Sequence, residues 1–241
     1  MQVQVFANSA QVAAAAGAFF ARQIQRHPRS VLGLATGSSP IGLYADLVAR
    51  HRAGGLPVDG LTTFNLDEYV GLTPEHPQSY RYFMQQHLFG PLGLKPDQVH
   101  LPSGDCADLA AQCAAYDQSI ERSGGIDLQL LGLGRNGHVG FNEPGTPFGT
   151  RTHIVRLAED TIHANARFFD SVADVPTQAI SMGIRSIMNA RRILLVAMGP
   201  EKAEALRGTI HGPVSEQLPA SVLQLHPDVT LMLDEQAASL L

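Results

Sequence analysis

The stretch Ile126 to Gly145, IDLQLLGLGRNGHVGFNEPG, limits the fold more than any other part of the chain. Its first half, IDLQLLGLG, is a leucine-rich apolar run ending in alternating glycines, the pattern of a strand buried on both faces in a parallel sheet. Directly after it, where such a strand hands over to a loop, Arg135, Asn136, His138, Asn142 and Glu143 fall within nine residues. In open α/β sheets, ligands bind in the crevice outside the carboxyl ends of the strands, so polar groups gathered there are placed for chemistry. Gly132, Gly134, Gly137, Gly140 and Gly145 let the backbone turn and approach a ligand closely. The run from Gly132 to Gly137 also has the spacing G-x-G-x-x-G. It is not a dinucleotide fingerprint, because no acidic partner follows about 20 residues on after a helix, and Pro144 and Pro147 break any helix that would begin there.

The remaining chain alternates strand and helix signals. Gln2 to Phe6 reads as a strand, and Asn8 with Gln11 has capping-box spacing before a helix carrying Val12, Ala16, Phe19, Phe20 and Ile24. Ser30 to Leu34 (SVLGL) is a short buried strand that runs through Ala35-Thr36-Gly37-Ser38-Ser39-Pro40 into a periodic helix, with Ser39 placed to cap and Pro40 at the first helical position. Leu61 to Leu66 is a strand ending in Asp67 and Glu68. Helices are expected over Ser79 to Phe89 and roughly Asp105 to Arg122, and a strand over His153 to Leu157. Ala179 to Met188 reads as a strand end and a short helix. Arg192 to Met198 is another buried strand, followed by Gly199-Pro200 and a helix with Lys202. Pro219 to Leu225 and Val229 to Leu233 are read as strands that close the sheet. This alternation predicts one domain over 1–241, α/β and doubly wound, with a mostly parallel sheet and helices on both faces. Residues 157–176 are polar and lack a clean period, which makes them a candidate lid.

Bulk properties exclude several classes of function. A net charge of -5 gives no electrostatic footprint for nucleic acid. The N-terminus lacks a basic leader, and the alanine-rich segment after it is interrupted by Gln11, Gly17, Arg22 and Gln23, so no membrane partner and a cytoplasmic location are expected. Cys106 and Cys113 lie in a segment with helical periodicity, which would separate their Cα atoms by about 10 Å at 1.5 Å per residue, too far for a disulfide. Neither has the spacing of a metal site.

Three features carry chemistry. The turn from Thr36 to Ser39 joins a strand to a helix N-terminus, where free N–H groups and the helix dipole attract phosphate; an ordinary capped helix start is the equal alternative. Lys202, early in its helix, suits a second anion site, or is simply a surface lysine. Asp67 and Glu68 at a strand end offer a general base, or else a helix cap. In a doubly wound sheet Ser38, Asp67, His138 and Lys202 would share one crevice.

The segments FNLDEYVGL, SYRYFMQQHLF, GLGRNGHVGFNEPG, ANARFF and LQLHP, together with LGLATGSSPIGLY, resemble the glucosamine-6-phosphate deaminase (isomerising) family, from the first strand to the last. The resemblance implies a Rossmann-like α/β fold and conversion of D-glucosamine 6-phosphate and water to D-fructose 6-phosphate and ammonia, without metal or redox cofactor. It also implies roles. His138 opens the sugar ring, supported by Glu143 and oriented through Asn136, which stands where some members have Asp. Asp67 is the base at C2, while Glu68 supports its loop. Gly37, Ser38, Ser39, Arg167 and Lys202 hold the phosphate. Longer, hexameric members are regulated by an N-acetylated sugar phosphate through basic side chains. Here His153 and Val155 replace two of these, so no such activation is expected, and a monomer or small homo-oligomer is. A 6-phosphogluconolactonase would favour Arg after the Asp-Glu pair and Leu-Phe-Pro at the end of the histidine loop, where this chain has Tyr69 and Phe141-Asn142-Glu143-Pro144. A non-catalytic sugar-phosphate sensor would usually carry a helix-turn-helix appendage, and the chain begins directly with its first strand.

Overall fold

The computed structural model describes residues 1–157, 169, 171 and 175–241. The candidate lid therefore falls largely outside the described residues, as does Arg167.

Seven strands form a wholly parallel sheet: β1 (Gln2–Phe6), β2 (Val31–Leu34), β3 (Thr62–Asn65), β5 (Val99–His100), β6 (Leu128–Leu131), β9 (Ile193–Ala197) and β10 (Val229–Asp234). Their order is β1-β10-β9-β6-β2-β3-β5. β2, β6, β9 and β10 are buried along their whole length, as their unbroken apolar runs require. A second, antiparallel sheet has the order β4-β8-β7, built from β4 (Asp67–Tyr69), β7 (His153–Arg156) and β8 (Gln178–Ser181). Asp67 and Glu68 thus belong to a strand of their own rather than to the end of β3.

Helices flank the large sheet. α1 (Ser9–Arg26) turns Val12, Ala16, Phe20 and Ile24 inward, as the 3.6-residue stripe requires, with Ala21 buried beside them and Phe19 only partly buried, and packs on α2 (Ile41–Arg52), β9 and β10. Asn8 accepts the Gln11 N–H at 3.0 Å, and the Gln11 side chain reaches back to the Ala7 N–H. α3 (Tyr80–Met84) continues through a π-turn at Gln85–Phe89 into α4 (Gly90–Leu92). α5 (Leu109–Arg122) begins only after Asp108, which caps it by accepting the Ala111 N–H. Cys106 therefore precedes the helix, so helical spacing to Cys113 does not apply. Both thiols are free, Cys106 exposed and Cys113 buried. α6 (Ile184–Met188) and α7 (Ala203–His211) follow. The expected strand at Pro219–Leu225 is instead a 3₁₀ helix with Pro219 at its start; Ala220, Val222 and Leu223 are buried in a segment that packs on α7 and does not pair in the sheet, while Leu225 is exposed. Among the described residues no helix is long and apolar enough to cross a membrane.

Two buried polar groups shape the interior. Gln129 on β6 is fully buried and lies across β2 at Gly33, its register partner. A Cβ at residue 33 would stand 2.0 Å from Gln129 Oε1, so only glycine leaves room for the carboxamide. Asp117 on α5 accepts three hydrogen bonds, from Thr152 N at 3.0 Å, Thr152 Oγ1 at 2.8 Å and Ser186 Oγ at 2.8 Å. It fastens α5 to the start of β7 and to α6. Asp117→Ala would leave these three donors without an acceptor in a buried site. We expect it to lower unfolding stability by about 2–4 kcal/mol, read as a lower urea midpoint at unchanged m-value; a midpoint equal to wild type would contradict this role.

Candidate active site

The chain runs outward from β2 through β3 to β5, and then returns to place β6 on the other side of β2. The strand order thus reverses between β2 and β6, and their carboxyl ends open a crevice, the general ligand position in such sheets. The crevice measures about 710 Å³. Thr36 to Ser39 from the β2 turn, Asp67 at the start of β4, Arg135, Asn136 and His138 from the β6 loop, Tyr80 on α3 and Lys202 all line it. The four residues expected to share a crevice do so.

The β6 loop folds back on itself through Gly134 N–H to His138 O at 2.9 Å and Gly137 N–H to Gly134 O at 3.1 Å. The imidazole of His138 then lies directly against Gly134, where a Cβ would approach ring atoms to 2.4 Å. Asn136 donates from Nδ2 to Glu143 Oε2 at 2.7 Å and accepts the His138 N–H at 3.2 Å. Glu143 Oε1 stands 3.4 Å from His138 Nδ1, within ion-pair reach but without hydrogen-bond alignment. Burial works to raise the Glu143 pKa, yet the neighbouring histidine and the Asn136 amide outweigh it and hold the carboxyl below its ordinary value. An ionised carboxylate beside an imidazole suits proton exchange at a polar oxygen.

Asp67 presents the opposite case. It is 6% exposed, and burial first, then repulsion from Glu68, raises its pKa to about 8. Glu68 itself accepts three backbone N–H groups, from Tyr69 at 2.8 Å, Tyr80 at 2.9 Å and Arg81 at 2.8 Å. It thereby ties the start of α3 to β4. Asp67 pairs in register with Ser181 of β8, whose Oγ accepts the Phe141 N–H at 3.1 Å. Asn142 donates to Val139 O and to Met182 O at 2.8 and 2.9 Å. β8 is therefore the common anchor of the Asp67 strand and the His138 loop.

The basic rim is built differently from the expectation. Ser39 does not cap α2. Pro40 occupies the cap position with no side-chain hydrogen bond, which leaves the first-turn N–H groups without a side-chain acceptor. Lys202 ends a 3₁₀ turn, Pro200–Lys202, ahead of α7. Its pKa is lowered, mainly by burial. Tyr80 and Ser181 had no place in the sequence reading of the site. Tyr80 is half-buried, bonds through Oη to Tyr69 Oη at 3.3 Å and stacks on Phe141 at an interplanar angle of 10°. Its motif was visible, whereas nothing in the sequence around Ser181 distinguishes it. Among the described residues no group of three His, Cys, Asp or Glu side chains is arranged to hold a metal ion.

Fold and crevice together define a doubly wound α/β protein whose acid-base groups and basic rim meet at a topological switch point. The family model for glucosamine-6-phosphate isomerases/6-phosphogluconolactonase matches residues 6–232, and the chain belongs to that family. It is 48% identical over 241 residues to a glucosamine-6-phosphate deaminase of Thermoanaerobacter pseudethanolicus, covering all of this chain and 95% of the relative. It is 50% identical to a glucosamine-6-phosphate deaminase of Halothermothrix orenii, with 100% of both chains covered. A solved structure of a monomeric glucosamine-6-phosphate deaminase superposes with a TM-score of 0.97 at 45% identity, covering 100% of both chains. A 6-phosphogluconolactonase from Trypanosoma cruzi reaches a TM-score of 0.80 at 20% identity, covering 99% of this chain and 96% of its own, and shares the fold alone.

The raised Asp67 pKa has a sign. Between about pH 4, where the unfolded carboxyl ionises, and about pH 8, the folded protein keeps a proton that the unfolded chain has lost, so this group's contribution to stability falls as pH rises. Asp67→Asn should therefore gain stability relative to wild type from pH 5 to pH 8, measured by urea unfolding. A difference that stays flat across that range would contradict the buried, protonated carboxyl.

Proposed function

We propose that the chain converts D-glucosamine 6-phosphate and water to D-fructose 6-phosphate and ammonia, a small-molecule reaction of amino-sugar catabolism. The observation that carries this reading is the meeting, in one crevice, of His138, backed by an ionised Glu143, with a buried Asp67 held on a different strand. The full-length similarity to deaminases at close to half identity supports it.

The reaction needs both halves. The cyclic sugar opens when the anomeric hydroxyl loses a proton and the ring oxygen gains one. His138 relays that proton, with Glu143 stabilising the imidazolium and Asn136 holding Glu143 in place. Because Asn136 lacks an ionisable group, it orients by hydrogen bonding and takes no proton. Asp67 then removes the C2 proton of the open-chain aldehyde to form an enolamine and returns a proton at C1. Water adds at C2 of the resulting imine, and ammonia leaves. Asp67 must ionise to act. The substrate ammonium, an opposite charge arriving beside it, draws its pKa back down. The phosphate is held by the turn from Gly37 to Ser39, the N-terminus of α2, Lys202 and Arg167.

Incubation with glucosamine 6-phosphate should release ammonia and fructose 6-phosphate in equal amounts. Asp67→Asn should abolish exchange of the C2 proton, while His138→Gln should slow reaction from the ring form more than from an open-chain substrate. Hydrolysis of 6-phosphogluconolactone in place of deamination would overturn the reading.

The finer expectation, a monomer or small oligomer without activation by an N-acetylated sugar phosphate, rests on His153 and Val155 in β7, which supply no basic pair there. Rate curves should be hyperbolic and insensitive to N-acetylglucosamine 6-phosphate. A sigmoidal curve shifted by that compound, from a hexamer in sedimentation, would refute it.

A further inference from the structure

Arg135 lines the crevice together with the turn from Thr36 to Ser39 and with Lys202, on the side where α2 begins. Its guanidinium makes no hydrogen bond or ion pair with any other described residue. Other arginines near acids behave differently: Arg191 pairs with Asp127 at 3.0 Å and Arg192 with Asp228 at 3.0 Å. Lys202 likewise has no carboxylate within ion-pair distance among the described residues; its sequence neighbour Glu201 acts on it only at longer range. Besides burial, the positive charge of Arg135 also lowers the lysine's pKa, so the two cations are close enough to repel. An exposed guanidinium and a half-buried ammonium, like charges beside a helix N-terminus without a side-chain cap, repel one another and are favourable once a dianion lies between them.

The backbone at Arg135 is also fixed. It lies inside the turn closed by the Gly134 to His138 and Gly137 to Gly134 hydrogen bonds, next to Asn136, which holds Glu143. The Cα of residue 135, from which the guanidinium extends, therefore sits at a set position relative to His138.

We propose that Arg135 is a phosphate-anchoring residue, a further cation on the substrate's 6-phosphate, carried by the same turn that carries the ring-opening groups. This rests on the deaminase reading for the identity of the substrate, though not for the binding of an anion. A planar fork of donors at this position can grip two phosphate oxygens at once, which an ammonium cannot do. Phosphate recognition would then register the sugar ring against His138 through a single turn of chain.

The test uses Arg135→Gln and Arg135→Lys in the full chain, with inorganic phosphate as the probe. Arg135→Gln should weaken competitive inhibition by phosphate about tenfold, the scale of one charge-assisted hydrogen bond, and raise KM for glucosamine 6-phosphate by a similar factor, with a smaller fall in kcat. Arg135→Lys should recover part of the phosphate affinity, a result that a purely structural arginine would not give. Phosphate inhibition and KM within twofold of wild type in Arg135→Gln would overturn the proposal. So would a loss of kcat alone with phosphate binding intact. The two readings fail separately. If wild type does not deaminate glucosamine 6-phosphate but phosphate still protects it from thermal unfolding in an Arg135-dependent way, the anion site stands and the substrate is wrong.

Discussion

The contact between β2 and β6 governs where chemistry is possible in this molecule. Had β6 continued outward beyond β5, its loop would have lain at a sheet edge, far from the turn after β2. By returning to the other side of β2 it brings two strand-to-loop junctions side by side at one end of the sheet. That adjacency joins the α2 N-terminus from one junction to Asn136 and His138 from the other. The second sheet then supplies what neither junction has, a buried carboxyl at the head of β4, and β8 binds that strand and the β6 loop into one piece through Ser181 and the backbone of Met182.

Environment separates the two carboxylates. Glu143 has an imidazole and an amide within reach, and these overcome its partial burial. Asp67 is deeper and has Glu68 as neighbour, so it holds its proton to higher pH. Groups of the same chemical type are thereby held in different protonation states, which the proposed mechanism uses for different work, one supporting a positive charge and one accepting a proton when a cation arrives. Glu68, equally buried, spends its acceptor capacity on three backbone N–H groups and so serves the shape of the site.

The parallel sheet was legible because its central strands are continuous apolar runs with few competing readings, SVLGL, LQLLGLG and RILLVAM among them. The antiparallel sheet was not, since β4 has three residues and β7 and β8 four each, and their pairing joins segments far apart in the chain. Pro219 to Leu225 shows the limit of apolar runs. Seven mostly apolar residues fit a strand or a buried helical turn equally well, and only packing on α7 decides. Ser39 shows the limit of local capping rules, because Pro40 takes the cap position and displaces the expected bond. Within the crevice, His138, Asn136 and Glu143 were visible because they crowd one loop. Tyr80 lines it from α3, and Ser181 supports the loop from beneath by accepting the Phe141 N–H; the approach of both elements is set by tertiary structure.

The fit of Gln129 over Gly33 bears on alignment as well as on space. Both residues lie in the middle of the strand pair that creates the crevice, a few positions short of the two loops. If β2 slid by one residue against β6, Leu32 or Leu34 would meet the carboxamide, and its side chain would be forced into occupied volume. The pair thus acts as a detent on strand register. It sets the relative height of the two loops, and with it the distance between whatever the β2 turn holds and the imidazole of His138.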